Sequence, residues 1–376
     1  MDNMQISAAE SSPDRIVKAT AARRAVSAAW WTGRFALALF LFVGGLQVMK
    51  LGAGQLAILQ SDGLLVRNAG STLGLGWIGA LFVLSGSPIA ASALTLVAAR
   101  SITENEGFSM VVGSRLGAAF VVLLVAVTYA MRGGTGKRYA PLSTAVITLS
   151  ATAIVYVPGA LIGFALLRWG PLHGLDLRFP RQFGNLIQAV YGPLLDRIGD
   201  LPAVLLFVGG LGILLVAFKL IDSVVPELSS QKIESSGVQW WRKKWSMFGL
   251  GCLVALVTMS VSVALTVLVP LVAKKYARRD EIIPYVIGAN ITTLGDTLLA
   301  AFLLHSSSAV RIVLATIAGT AVASLLILAF AYPKMHDLVF AFQRRMIASK
   351  ARLAAFTAGL FLVPLTIIAL SSLAAR

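Results

Sequence analysis

The chain has 376 residues, of which 57% are hydrophobic and only 13% charged, with a mean hydropathy of +0.84. Soluble domains carry about a quarter charged residues, so the composition argues against two or three soluble domains and against a soluble enzyme. The 32 Lys and Arg against 16 Asp and Glu leave a net charge of +16, which in a soluble chain points to nucleic acid and in a membrane chain to cytoplasmic loops.

One cysteine, Cys252, leaves neither a disulfide framework nor a thiolate metal cluster, and His173, His305 and His336 lack metal-ligand spacing. The expected fold is an all-α polytopic membrane protein with its function inside the membrane segments, no cofactor and no enzymatic site. Residues 1–34 are polar and read as a cytoplasmic tail, with no cleavage pattern after a short apolar core. Crossing a bilayer takes about 20 apolar residues, and the chain offers seven such stretches: 35–58, 115–131, 141–168, 203–221, 290–304, 309–331 and 352–374.

Two further apolar stretches, 74–99 and 247–273, are interrupted by Leu84-Ser85-Gly86-Ser87-Pro88 and by Met259-Ser260-Val261-Ser262. Each reads as a re-entrant hairpin; the alternative is an ordinary span whose serines bond back onto the helix. Loop charge favours hairpins. With them, 22 of the 32 basic residues fall on the side of the N-terminus, which the positive-inside rule assigns to the cytoplasm. The resulting plan is a first repeat at 35–169, an outer loop at 170–202, a second repeat at 203–331, and a cytoplasmic loop with a terminal helix at 332–376.

In the outer loop, Leu186, Ile187, Val190, Tyr191, Leu194, Leu195 and Ile198 recur at helical spacing and predict an interfacial helix. Trp240, Trp241 and Trp245 beside Arg242, Lys243 and Lys244 read as an aromatic belt with snorkelling cations rather than a nucleic-acid platform. The run Arg132-Gly133-Gly134-Thr135-Gly136-Lys137-Arg138 lacks P-loop spacing, and His305-Ser306-Ser307-Ser308 reads as a short outer turn.

The two broken stretches are related. The offset that carries Ser85 onto Ser260 also carries Ser87 onto Ser262, Glu106 onto Glu281 and Gly113 onto Gly288, without a gap. Upstream, Leu41-Phe42-Val43-Gly44-Gly45-Leu46 recurs as Leu206-Phe207-Val208-Gly209-Gly210-Leu211. Three spans and one hairpin lie between, an odd number of crossings, so the second unit is inverted relative to the first. Inverted repeats with discontinuous helices are the plan of secondary transporters.

These motifs resemble the sodium-dependent phosphate cotransporter (Na/Pi, type II-like) family over roughly 35–130 and 203–305. That family carries two inverted hairpins with Gln-Ser-Ser-Ser breaks, each followed by a Gly-Ala-Asn-Ile-Gly-Thr-type helix start. The second copy here reads Gly288-Ala289-Asn290-Ile291-Thr292-Thr293 and the first, more divergent, Gly113-Ser114-Arg115-Leu116-Gly117. The resemblance implies a plasma-membrane symporter of inorganic phosphate with sodium, its substrate site at Ser85, Ser87, Ser260, Ser262, Arg115 and Asn290. Cation binding falls to Asn290, Thr292, Thr293 and Asp296. Leu84 and Met259 stand in place of the family's glutamines, removing two oxygen donors of the kind hard cations want. That leaves a proton, or no coupling ion, as the alternative to sodium; from a different class, a non-transporting membrane scaffold would keep the same fold. Arg115, in place of the first asparagine, either grips the anion or snorkels to headgroups. Asp296, the one acidic residue well inside a predicted span, is the expected cation or proton carrier.

Overall fold

The structure is a computed structural model that describes residues 13–55, 68–132, 139–175, 180–224, 243–273 and 277–374. Their regular structure is helical throughout, and seven segments are long and apolar enough to cross a membrane: Trp30–Gln55, Glu104–Arg132, Tyr139–Arg168, Ala203–Ile221, Arg279–Leu303, Ser307–Ile347 and Lys350–Ala374. The chain is a multi-span α-helical membrane protein.

Helix α1 (Pro13–Gln55) is followed by two shorter apolar helices, α2 (Ala69–Val83) and α3 (Ser87–Ala98), on either side of the first break. Then come α4 (Glu104–Ala118), α5 (Phe120–Arg132), α6 (Tyr139–Arg168), α7 (Arg181–Ile198) and α8 (Ala203–Val224). The second break separates α9 (Lys244–Thr258) from α10 (Val261–Thr266) and α11 (Leu268–Ala273). A 3₁₀ turn (Arg279–Glu281) opens α12 (Ile282–Thr292), and α13 (Gly295–Leu303) completes that span. Finally α14 (Ser307–Leu326) runs through a π-turn (Ile327–Ala331) into α15 (Tyr332–Ile347), and α16 (Lys350–Ala374) ends the described chain.

Several segments differ from the sequence expectation. The spans expected at 115–131 and 290–304 begin earlier, at Glu104 and Arg279, because polar residues near their starts serve as caps. The Glu106 carboxylate accepts from the Thr103 N–H at 2.7 Å, and Glu281 accepts from the Arg278 N–H at 3.0 Å. Gly113 and Gly288 therefore lie inside α4 and α12 rather than opening helices. The part of the tail from Pro13 continues α1, and the stretch expected as a loop after 332 is the helix α15. Helix α7 leans on α1: Gln55 Nε2 donates to Gly199 O at 3.1 Å, whereas the Tyr191 hydroxyl donates to Phe40 O at 2.8 Å. Residues 1–12, the run 133–138, Trp240, Trp241, Arg242, Lys274 and Lys275 lie outside the described residues.

Lipid is as apolar as leucine, so close packing, more than water exclusion, holds such helices together, and small residues permit it. On α2 and α4, a Cβ on Gly76 would stand 2.1 Å from Met110 O, and one on Gly113 2.0 Å from Leu73 O. On α9 and α12, a Cβ on Gly251 would stand 2.0 Å from Tyr285 O, and one on Gly288 2.1 Å from Phe248 O. Every residue of the second set follows its counterpart in the first by the same offset that relates Ser85 to Ser260. Helices α1 and α8 cross reciprocally, each of Gly45 and Gly210 facing the other's carbonyl.

Hydrogen bonds sort the helix ends into two groups. At one, the Gln55 end, Lys50 Nζ reaches Leu304 O, Ser101 Oγ reaches Ala53 O, and Arg311 joins Leu175 O to the Glu104 carboxylate. At the other, the Arg34 end, Arg34 meets Ser223, Lys244 Nζ meets Leu328 O, and the Tyr332 hydroxyl meets Asp280 O. Helix α2 starts from the Gln55 end and α9 from the Arg34 end.

Candidate functional site

The two breaks share a backbone device. Leu84 and Met259, equivalent positions of the two breaks, both adopt the left-handed conformation, with φ of 58° and 47°. That conformation stops a helix and is costly for a residue with a Cβ, so it persists only where surroundings over-determine it. After Met259, the Ser260 hydroxyl caps α10 by accepting from Val263 N–H at 3.3 Å. The Ser262 hydroxyl donates across to Leu84 O at 3.0 Å, so the second break supplies a hydrogen bond to a carbonyl freed by the first. Ser85 lies half-buried between Leu84 and Gly86. Gly86 is needed for room, since a Cβ there would stand 2.9 Å from Ser114 O of α4.

Next to that contact, α4 carries Arg115, 1% exposed. Its Nη2 donates to the Thr297 hydroxyl at 2.5 Å, and that hydroxyl donates to Asp296 Oδ1 at 2.9 Å. The Thr297 N–H also reaches Asp296 Oδ1, at 2.5 Å. Arg115 is thus buried in the helix bundle rather than reaching headgroups. Asp296, 5% exposed, sits in the first turn of α13, where the N-terminal helix dipole favours its negative charge. The Ser87 side chain, first in α3, lies beside the same carboxylate.

Asn290 is 1% exposed and held against α6: Nδ2 donates to Thr152 Oγ1 at 3.2 Å, and its carbonyl accepts from the Tyr156 hydroxyl at 2.8 Å. The Thr292 hydroxyl turns the other way, donating to Cys252 O of α9 at 2.7 Å. Thr293 is fully buried at the α12–α13 break. The structure therefore brings together Ser87, Arg115 and Asp296. It fastens Asn290 and Thr292 to neighbouring helices, and uses Ser260 and Ser262 to cap and join the breaks.

Several buried polar atoms of this centre lack a partner among the described residues: Arg115 Nε and Nη1, Asp296 Oδ2 and Thr293 Oγ1. Such atoms are costly in an apolar interior, and a native structure keeps few of them without a reason. Two free N–H donors on a fixed cation can grip an anionic oxygen, and a free carboxylate oxygen can hold a small cation. Among the described residues no group of three or more His, Cys, Asp or Glu is placed to hold a metal ion.

Thr297, Thr152 and Tyr156 belong to the site without having been singled out in the sequence. Thr297 follows Asp296 directly, and Thr144, Thr148, Thr152 and Tyr156 recur at every fourth position, a one-faced pattern legible on α6. Compared with known proteins, the chain matches no family model, no curated protein and no solved structure.

Proposed function

We propose that the chain is a secondary active transporter of the plasma membrane, not an enzyme, moving inorganic phosphate together with a cation, sodium first, by alternating access. The observation that carries this reading is the buried Arg115–Thr297–Asp296 centre beside the α12–α13 break. Broken helices in hydrocarbon are tolerated where they are buried in protein or line a polar cavity, and ionisable residues at that depth mark ion and substrate pathways. Arg115 would take a phosphate oxygen through its free N–H groups, while Asp296 would hold the cation whose charge offsets the anion's.

The reading includes membership of the Na/Pi family and two inverted-topology repeats with re-entrant hairpins. It is supported by the single offset that relates Leu84 to Met259, the Gly76–Gly113 packing to Gly251–Gly288, and the Glu106 cap to that of Glu281. The opposite starting ends of α2 and α9 support the inversion. The basic residues Arg132, Lys219, Lys244, Arg278, Arg279, Lys334, Arg344, Arg345 and Lys350 flank helix ends on the Arg34 side, which supports a cytoplasmic assignment for that end.

One observation favours a proton as second candidate for the coupling ion. The left-handed positions of the two breaks, Leu84 and Met259, lack a side-chain oxygen, while Asp296 provides a carboxylate that can exchange a proton. Labelled phosphate uptake into proteoliposomes under imposed sodium or proton gradients tests both. Sodium-driven uptake is the expected result, uptake driven by protons alone assigns the coupling to the proton, and no uptake under any gradient leaves a membrane scaffold.

A further inference from the structure

The buried hydroxyls of α6 and α14 continue well beyond Thr152 and Tyr156, the two that hold Asn290 in the site. On α6, Ser143, Thr144, Thr148, Thr152 and Tyr156 are each at most 1% exposed, and on α14 Thr316, Thr320 and Ser324 are each at most 2% exposed. The spacing of four keeps Thr144, Thr148, Thr152 and Tyr156 on one face of α6, with Ser143 beside Thr144, and Thr316, Thr320 and Ser324 on one face of α14. The two helices cross where a Cβ on Gly319 would stand 2.2 Å from Gly159 O, and one on Gly163 2.6 Å from Ala315 O. From that crossing both hydroxyl sets extend toward the Arg34 end.

Toward the Gln55 end α14 carries Arg311, held by Leu175 O and the Glu104 carboxylate, among apolar residues. Val310, Ile312 and Val313 of α14 are fully buried, and Phe164 of α6 packs its ring 6.4 Å from that of Phe108, whose edge faces Gly163. The uncharged hydroxyl faces of α6 and α14 thus leave the crossing toward the Arg34 end, whereas on the Gln55 side the buried Ser92 and Thr95 of α3 spend their donors on their own helix, at Pro88 O and Ala91 O.

The chemistry of the hydroxyls indicates what they suit. Thr144, Thr316 and Thr320 spend their O–H donors on the carbonyls of Ala140, Ile312 and Thr316, leaving oxygen lone pairs. Back-bonding alone is common in membrane helices. What goes beyond it is that Ser143 Oγ, Thr148 Oγ1 and Ser324 Oγ are buried with no partner among the described residues. Neither face carries a charged residue between 143 and 156 or between 316 and 324. A surface of oxygen acceptors without cationic donors suits a small cation and discriminates against phosphate.

We propose that the hydroxyl faces of α6 and α14 line the route by which a small monovalent cation passes between Asp296 and the Arg34 end of the bundle. This rests on the transport reading above. It is tested with single-cysteine forms Thr148→Cys, Ser324→Cys and Ile312→Cys in the Cys252→Ala chain, treated from either membrane side in intact cells and inverted vesicles. The probes are a cationic aminoethyl and an anionic sulfonatoethyl methanethiosulfonate. Thr148→Cys and Ser324→Cys are expected to react from the Arg34 side only, with the cationic reagent at least about tenfold faster, and Ile312→Cys from neither side. Equal rates for the two reagents, or reaction from the Gln55 side, overturns the route.

A second readout covers cysteine forms that fold poorly. Thr148→Val is expected to raise the cation concentration for half-maximal uptake about tenfold while leaving that for phosphate unchanged. Phosphate uptake with no thiol reaction and no Thr148→Val effect overturns the route and leaves transport standing. Absence of uptake under every gradient overturns the transport reading, whereas the thiol pattern still decides whether the faces admit cations.

Discussion

Arg115 and Asp296 are opposite charges taken out of water, and burial of such a pair is repaid only when the remaining donors and acceptors are also satisfied. Here Thr297 joins them through one hydroxyl, while two guanidinium nitrogens and one carboxylate oxygen find no partner among the described residues. Under the proposed binding role these open atoms are the ones that meet the ligands, and a change of side-chain shape at constant charge separates that role from a merely structural charge pair. Arg115→Lys keeps the charge but loses the planar fork, so it is expected to raise the phosphate concentration for half-maximal uptake about tenfold while the protein still elutes as a folded species. Unchanged phosphate affinity in that variant would remove Arg115 from the anion site. Asp296 was legible in the sequence because an isolated carboxylate inside an apolar span has few bland explanations. Thr152 and Tyr156 show in the sequence only as a fourth-position pattern and Thr297 only as a neighbour of Asp296, because hydroxyl residues in membrane helices commonly bond their own backbone and only the fold shows which face another helix.

The elements carrying these residues are set by two kinds of small-residue use. Gly86 gives α4 room beside the first break, and Gly76, Gly113, Gly251 and Gly288 bring helix backbones into contact. Gly113→Val and Gly288→Val are therefore expected to destabilise the protein to a similar degree, by about 1–3 kcal/mol or more, read as a fall in melting temperature in detergent. Gly249→Ala, with nothing within 4 Å of its added Cβ, is the neutral control. A sharp difference between the two valine variants would argue that the packing they share is only superficially equivalent. The breaks were visible in the sequence as serine-containing interruptions, and the offset relating them survives into matching φ angles and packing distances. The role of Gly113 and Gly288 was not visible, since a glycine that opens a helix and one that admits a neighbour look alike without the neighbour. In the sequence Leu84 and Met259 stand out for the oxygens they lack, whereas in the structure they hold the left-handed backbone ending α2 and α9.

Across the whole molecule, the net charge of +16 is unevenly placed. Most of the described basic residues gather at helix ends on the Arg34 side, while Arg115 alone among the described arginines is fully buried at the centre. The number of spans was readable from apolar length. The extension of α14 through a π-turn into α15, and the tilt of α7 against α1, depend on tertiary contacts that hydropathy does not encode. The central claim is that Asp296 and Arg115 form one centre that couples a cation to phosphate. The most direct test is concentrative uptake of labelled phosphate by wild-type and Asp296→Asn protein in proteoliposomes, with the coupling cation imposed inward. The wild type is predicted to accumulate phosphate above its external concentration, and Asp296→Asn to bring it at most to equilibrium. Accumulation by Asp296→Asn to the wild-type level, or none by the wild type, would contradict the account.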